Sequence, residues 1–288
     1  MQERGMDVRM IVTDLDGTLF APHSVLTERT RKAIQNCEAR GIPVVLASGR
    51  NFLNLRAIAG KAGLRQSPII ATNGARIEAG RFGPTLMEQT IPVDVSRAAL
   101  EILLKSGMNI QCHTRDTVYE INGHLSPWLK TPDEYSPMPE AVTDEDGFTE
   151  HYSESVEAMY LNGMPRTLKY AAESRNLDAL EKLRKELLQL PLSVTSSSRV
   201  NLEIMGQGMG KGAAVRFLAE YYHLQTSQIM AFGDQTNDLE MLECAGIPVA
   251  MENGADALKE NAAIVAPPNT EDGVAQVLEA YVCGPSGS

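Results

Sequence analysis

The chain has 288 residues, 43% hydrophobic and 22% charged. That is the make-up of an ordinary globular protein and excludes disorder and coiled coil. Its 37 acidic residues outnumber 26 basic ones, giving a formal net charge of −11, which is the wrong sign for sequence-independent nucleic-acid binding or for an anionic membrane surface. A small anionic substrate stays open, because a bound metal and a few local cations dominate the field inside a cleft. The four cysteines, Cys37, Cys112, Cys244 and Cys283, form no CxxC pair and read as reduced core thiols. No apolar stretch reaches spanning length and no apolar signal segment stands at the N-terminus, so a cytoplasmic protein is expected. The final "GPSGS" reads as a flexible tail.

In chain order, Met10, Ile11 and Val12 predict a short buried strand that ends on two aspartates, Asp14 and Asp16. "TERTRKAIQNCEARG" predicts a helix, with Thr27 as N-cap, Ala33, Ile34 and Cys37 on one face, and Gly41 as terminator. "IPVVLASGR" predicts a strand, "NFLNLRAIAGKAG" a helix, and "PIIATNGA" a strand that stops at Asn73. This βαβαβ order predicts a Rossmann-like parallel sheet with helices on both faces. It resumes late with "KGAAVRFLAEYYHL", "QIMAFGD", "TNDLEMLECAG", "IPVAM", "ADALKENA", "AIVA" and "EDGVAQVLEAY", which alternate helix and strand.

The middle reads as an α+β unit. "TLMEQTI" alternates, "SRAALEILLKSG" and "NLDALEKLRKELLQL" are helical, and "NIQCHT" can pair with "TVYEI". "SPMPEAVTDEDG" reads as an exposed loop, "VEAMYLNG" as a strand, and "LSVTSSS" with "VNLEIM" as a hairpin around Ser198 and Arg199. The expected organisation is a core of residues 1–84 and 196–288, interrupted by an inserted α+β domain at 85–195.

Ligands of open parallel sheets bind beyond the carboxyl ends of the strands. There the sequence places Asp14, Asp16, Ser48, Gly49, Asn73 and Asp234, with Lys211 opening the helix after the insertion and Asn237 and Asp238 opening the next. Taken singly these residues have plain structural explanations: Asp16 as an Asx-turn residue, Ser48 as a helix N-cap, Lys211 as a solvated lysine, and Asp238 as a helix-dipole carboxylate. Taken together they fit phosphoryl transfer through an aspartyl phosphate. That reaction needs a nucleophile, a proton donor, a divalent cation and fixed positive groups. Adjacent carboxylates make a hard oxygen site suited to Mg²⁺.

"DLDGTL" at 14–19, "ASGR" at 47–50, the lysine of "GMGKGAA" and "GDQTNDLEML" at 233–242 resemble, in order, the four motifs of the haloacid dehalogenase (HAD) superfamily. The length, "TNGA" at 72–75 and the insertion after the third strand are similar to its Cof-type subfamily of cap-bearing sugar phosphatases. The resemblance implies Asp14 as nucleophile and Mg²⁺ ligand. It implies Asp16 as general acid/base that also binds Mg²⁺ through its backbone carbonyl, and Asp234 as the remaining metal ligand. Ser48, the Leu15 and Gly49 amides, Asn73, Lys211 and Asn237 would contact substrate, with Asp238 orienting Lys211 or a metal-bound water. Gln235 and Thr236 depart from the residues common in the family, and Ser48 stands for the commoner threonine. The implied activity is Mg²⁺-dependent hydrolysis of a small phosphorylated metabolite, a sugar phosphate foremost, by a monomer or homodimer. A phosphomutase with the same first half-reaction, a phospho-acceptor signalling domain and a non-catalytic sugar-phosphate-binding regulator are the other readings. His23, His113, His124, His151 and His223 have no metal-ligand spacing and read as surface or core residues. Trp128 reads as a packing residue.

Overall fold

The computed structural model describes residues 6–121, 141–143, 147, 149–153 and 163–284. Two units emerge, Met1–Met87 together with Met209–Ser288, and Glu88–Gly208.

The first unit is built on an eight-stranded sheet. In spatial order it runs β15 (Ile264–Ala266), β14 (Ile247–Met251), β13 (Ile229–Gly233), β1 (Met10–Thr13), β2 (Val44–Ala47), β3 (Ile69–Ala71), β4 (Arg76–Glu78) and β5 (Thr85–Glu88). The pairings from β15 through β3 are parallel, and β4 turns back antiparallel on β3. Along β1 the side chains part by alternation. Ile11 packs with the helices Glu28–Ala39, Phe52–Ala62 and Gly273–Leu278, whereas Met10 and Val12 pack with Lys211–Tyr221 and Leu239–Glu243. Both faces are therefore covered, which is why the strand sequences are unbroken apolar runs.

Local signals set the helices. The Thr27 hydroxyl accepts from the Thr30 amide, and the Asn51 side chain from the Asn54 amide. Ser48 is not the N-cap of the second helix; Asn51 is. Cys37, Cys112 and Cys283 are buried and all four cysteines are free, and burial pushes the Cys112 thiol up to about 12.

The second unit holds a seven-stranded sheet ordered β11 (Leu192–Thr195), β12 (Asn201–Gly206), β10 (Lys169–Glu173), β6 (Asn109–His113), β7 (Thr117–Ile121), β9 (Thr149–Ser153) and β8 (Ala141–Thr143). It is antiparallel apart from the parallel β7–β9 pair. Helices Val93–Ser106 and Leu177–Leu187 pack Leu100, Leu103, Leu180 and Leu183 on one face, against Ile110, Tyr170 and Ile204.

Two expectations shift. The second boundary lies after Gly208 and not after Thr195, because β12 is hydrogen-bonded on both sides within the second sheet, to β10 and β11. The segment read as one exposed loop contains strand β8, whose Ala141, Val142 and Thr143 pair with β9. Residues 156–162 of the strand predicted at 156–163, His124, Trp128 and the terminal tail after Gly284 lie outside the described residues. Among the described residues no helix is long and apolar enough to cross a membrane.

Candidate active site

Strand β1 is central in its sheet, and the chain leaving it runs through Asp14 into a tight loop. Gly17, at φ +88°, lets that loop close on the end of β13: a Cβ there would fall 2.2 Å from Asp234 Oδ2. A side chain at this position is excluded by backbone conformation and by space. Thr18 donates to Asp234 Oδ1 at 2.8 Å, and the Asn253 amide donates to the Gly17 carbonyl at 2.8 Å.

The neighbouring strand ends are fastened to one another. The Asn73 amide donates to the Ser48 carbonyl and the Thr72 amide to the Arg50 carbonyl, each at 2.9 Å. Thr72, Asn73 and Gly74 all have positive φ, 51°, 53° and 96°, a costly run for a β-branched residue. Packing maintains it: a Cβ on Gly74 would lie 2.4 Å from the carbonyl oxygen of Gly210, the residue before Lys211. The strained turn thus wedges the start of the lysine-bearing helix.

The chemistry gathers around that lysine. Lys211, 1% exposed, donates from Nζ to Asp14 Oδ1 at 2.5 Å and to Asp238 Oδ1 at 2.7 Å. Asp238 Oδ2 accepts the backbone amides of Asp234 and Gln235, both at 3.1 Å, and Gln235 Nε2 donates to Asp234 Oδ2 at 3.2 Å. Carboxylate oxygens of Asp14, Asp234 and Asp238 lie within 4.8 Å of one another. Burial foremost, then Asp238 and Asp234, push the Asp14 carboxyl up to about 8, against the pull of Lys211. Burial and Asp238 push Asp234 up to about 6. Lys211 is raised by Asp14 and Asp238 although burial alone would lower it.

Three carboxylates face one ammonium, so the ionised cluster carries two surplus negative charges. That deficit and an all-oxygen donor set are what a hard divalent cation satisfies. Asp238 is fully buried and held by the Lys211 ammonium and two backbone amides, whereas Asp234 is held only by neutral side-chain donors, so Asp14 and Asp234 are the carboxylates that would hold a metal.

The structure therefore brings Asp14, Asp234, Asp238 and Lys211 together, and sets Ser48 and Asn73, both buried, side by side through the backbone. The Leu15 side chain is buried in the core beside Phe20 and Leu19. Asn237 Oδ1 is buried with no hydrogen-bond partner among the described residues. Asp16 stands apart. Its side chain is 53% exposed, outside the carboxylate cluster, and both of its oxygens accept from Arg50, at 2.7 Å and 2.9 Å. Thr18, Gln235 and Arg50 are the site contacts that sequence reasoning missed; each lies inside a quoted motif, which was the available signal.

A family profile described as haloacid dehalogenase-like hydrolase matches residues 11–278. The chain belongs to this family. It is 30% identical over 291 aligned positions to the Bacillus subtilis (strain 168) protein named 5-amino-6-(5-phospho-D-ribitylamino)uracil phosphatase YwtE, covering 96% of this chain and 99% of that one. It is 28% identical to the Escherichia coli (strain K12) pyridoxal phosphate phosphatase YbhA, over 96% of this chain and all of the relative. Among solved structures, TM0651 from Thermotoga maritima superposes with a TM-score of 0.75 at 29% identity, covering 95% of this chain and 97% of that chain. The HAD hydrolase thus gathers Asp14, Asp234, Asp238 and Lys211 at the C-terminal edge of its own parallel sheet.

Proposed function

We propose that this HAD hydrolase is a Mg²⁺-dependent phosphatase that frees inorganic phosphate from a small phosphorylated metabolite, a sugar phosphate foremost, through a phosphoryl group carried on Asp14. The observation that carries this reading is the buried Lys211 ammonium bridging Asp14 and Asp238 in a cluster with surplus negative charge. A fixed cation on the nucleophile's oxygen is also a fixed cation for the phosphoryl oxygens brought to it. The same attraction that orients Asp14 then stabilises charge on the transferring group.

In the first half-reaction an Asp14 oxygen attacks phosphorus, the bond to the leaving oxygen breaks, and Asp16 gives that oxygen a proton. In the second, water attacks phosphorus, Asp16 takes the water's proton, and the bond to Asp14 breaks, restoring the carboxylate and releasing phosphate. Ser48, the Leu15 and Gly49 amides, Asn73, Asn237 and Lys211 hold the phosphoryl oxygens, and Asp238 keeps Lys211 in place. Asp14, Asp234 and the Asp16 carbonyl would hold Mg²⁺, which would supply the missing positive charge when bound.

The relatives support the substrate class. YwtE is named for a phosphoribityl compound and YbhA for pyridoxal phosphate, both small phosphomonoesters. The test is release of inorganic phosphate from a panel of sugar phosphates, nucleotides and cofactor phosphates with Mg²⁺. Release from a sugar phosphate with kcat/KM above that for p-nitrophenyl phosphate is the expected result. Release from no ester, or phosphoryl transfer within the sugar without free phosphate, overturns it.

A further inference from the structure

The residue expected to move protons is not free in this structure. Arg50 Nη2 donates to Asp16 Oδ1 at 2.7 Å and its Nε to Oδ2 at 2.9 Å, a planar fork on both carboxylate oxygens. Such paired bonds fix direction as well as distance, which a lysine cannot do. Arg50 is itself tied at three further points. Its Nη1 donates to Asn54 Oδ1 at 3.1 Å, its amide to Ser48 Oγ at 3.3 Å, its carbonyl accepts from Thr72, and Asn54 in turn is bonded to the N-cap Asn51. Asp16, by contrast, sits on a loop with its side chain half exposed. Solvent would leave that carboxylate to sample several rotamers, and proton transfer needs it within hydrogen-bond reach of one oxygen.

We propose that Arg50 is the positioning residue for Asp16, holding the proton-transfer carboxylate in one orientation at the mouth of the Asp14 cluster. This rests on the phosphatase reading above. Arg50 neither gains nor loses a proton in the reaction. The proton given to the leaving oxygen comes from Asp16, and the one taken from water returns to it. Arg50 is fixed by its backbone to Ser48 and Thr72, at the ends of β2 and β3, and by its guanidinium to Asn54, so Asp16 answers to those elements and not to the conformation of its own loop.

A positioning role has a kinetic signature different from that of a phosphate-binding arginine. The leaving oxygen of an alkyl phosphate needs a proton, whereas p-nitrophenolate departs without one. Arg50→Ala is therefore expected to lower kcat for the best sugar phosphate by about tenfold or more, lower it for p-nitrophenyl phosphate by less than about threefold, and leave both KM values nearly unchanged. In an Asp16→Asn background the same substitution is expected to add less than about twofold, because the group it positions is already disabled. Arg50→Lys keeps the charge and loses the fork, so its losses should resemble those of Arg50→Ala; it serves equally if the alanine variant does not fold. Equal losses for both esters, a raised KM as the main effect, full additivity with Asp16→Asn, or parental kinetics in Arg50→Lys would each overturn the assignment. A parent enzyme that hydrolyses neither ester would overturn the phosphatase reading, and this inference with it. An active parent with a flat, additive Arg50 effect overturns this inference alone.

Discussion

Asp14 and Lys211 illustrate how one contact can serve two ends. The carboxylate gains orientation from an ammonium at 2.5 Å, and the ammonium is kept charged by two carboxylates in a place where burial would strip its proton. Removing the lysine leaves Asp14 and Asp238 buried and unpaired. Lys211→Ala should lose phosphate release by at least about a hundredfold and cost roughly 3–5 kcal/mol in urea unfolding. Lys211→Arg should not restore activity, since the wider guanidinium does not fit between two oxygens spaced for one Nζ. Asp14→Asn should abolish turnover in the same assay, because an amide does not attack phosphorus. The melting temperature in metal-free buffer should hold, since the change relieves like-charge repulsion in the cluster. At this scale the sequence was informative where residues stand in a motif and silent where they pair across space. Asp14, Asp234, Asp238 and Lys211 each stand in a quoted motif, and the structure gathers their side chains. The Arg50–Asp16 fork and the Thr18 bond to Asp234 were not legible, because neither spacing nor residue type says which motif faces which.

Strands and helices were read well where burial imposes one pattern over the whole element. Val44–Ala47 and Ile229–Gly233 are covered on both faces and so appear as apolar runs, and Thr27 and Asn51 announce their helices by side-chain capping. Strand β4 was missed because its Arg76 and Glu78 look like loop residues. They are buried as an ion pair at 2.6 Å, with the Arg76 guanidinium over the Phe52 ring at 4.5 Å. The second domain boundary failed for a related reason: the alternation in β12 identifies a strand but not the sheet it joins. One element also carries a titration. His113 on β6 is buried, and burial, then Lys169, push its pKa down to about 3, with Glu203 opposing. Below about 6.5 the unfolded chain takes up a proton that the folded chain refuses until about pH 3. Stability is therefore intact above that window and falls through it, by up to about 1.4 kcal/mol per pH unit. Between pH 7.5 and pH 5 the parent should lose more of its melting temperature than His113→Gln; parallel losses would remove His113 from the account.

Across the whole molecule, function was legible before substrate was. Four short motifs spread over most of the chain converge on one sheet edge, and their order already pointed to the family that the profile match establishes. No motif in the sequence announces the leaving group. Metal dependence is the global test of the charge deficit in the cluster. EDTA should stop phosphate release and lower the melting temperature, and Mg²⁺ at about a hundred times its dissociation constant should stabilise the fold by about 2.7 kcal/mol. Full turnover in excess chelator would refute the metal site. The strand order also bears on biosynthesis. β1 is flanked by β2 on one side and by β13 on the other, and the contacts Lys211–Asp14 and Thr18–Asp234 span 197 and 216 residues. A nascent chain that has finished its first three strands holds Asp14 but has neither Lys211 nor Asp234. Such a chain leaves the edge of β1 that pairs with β13 open and has no complete cation site. Ribosome-bound intermediates should be catalytically silent until the last quarter of the polypeptide emerges, and chaperones that shield open sheet edges should meet this protein through β1.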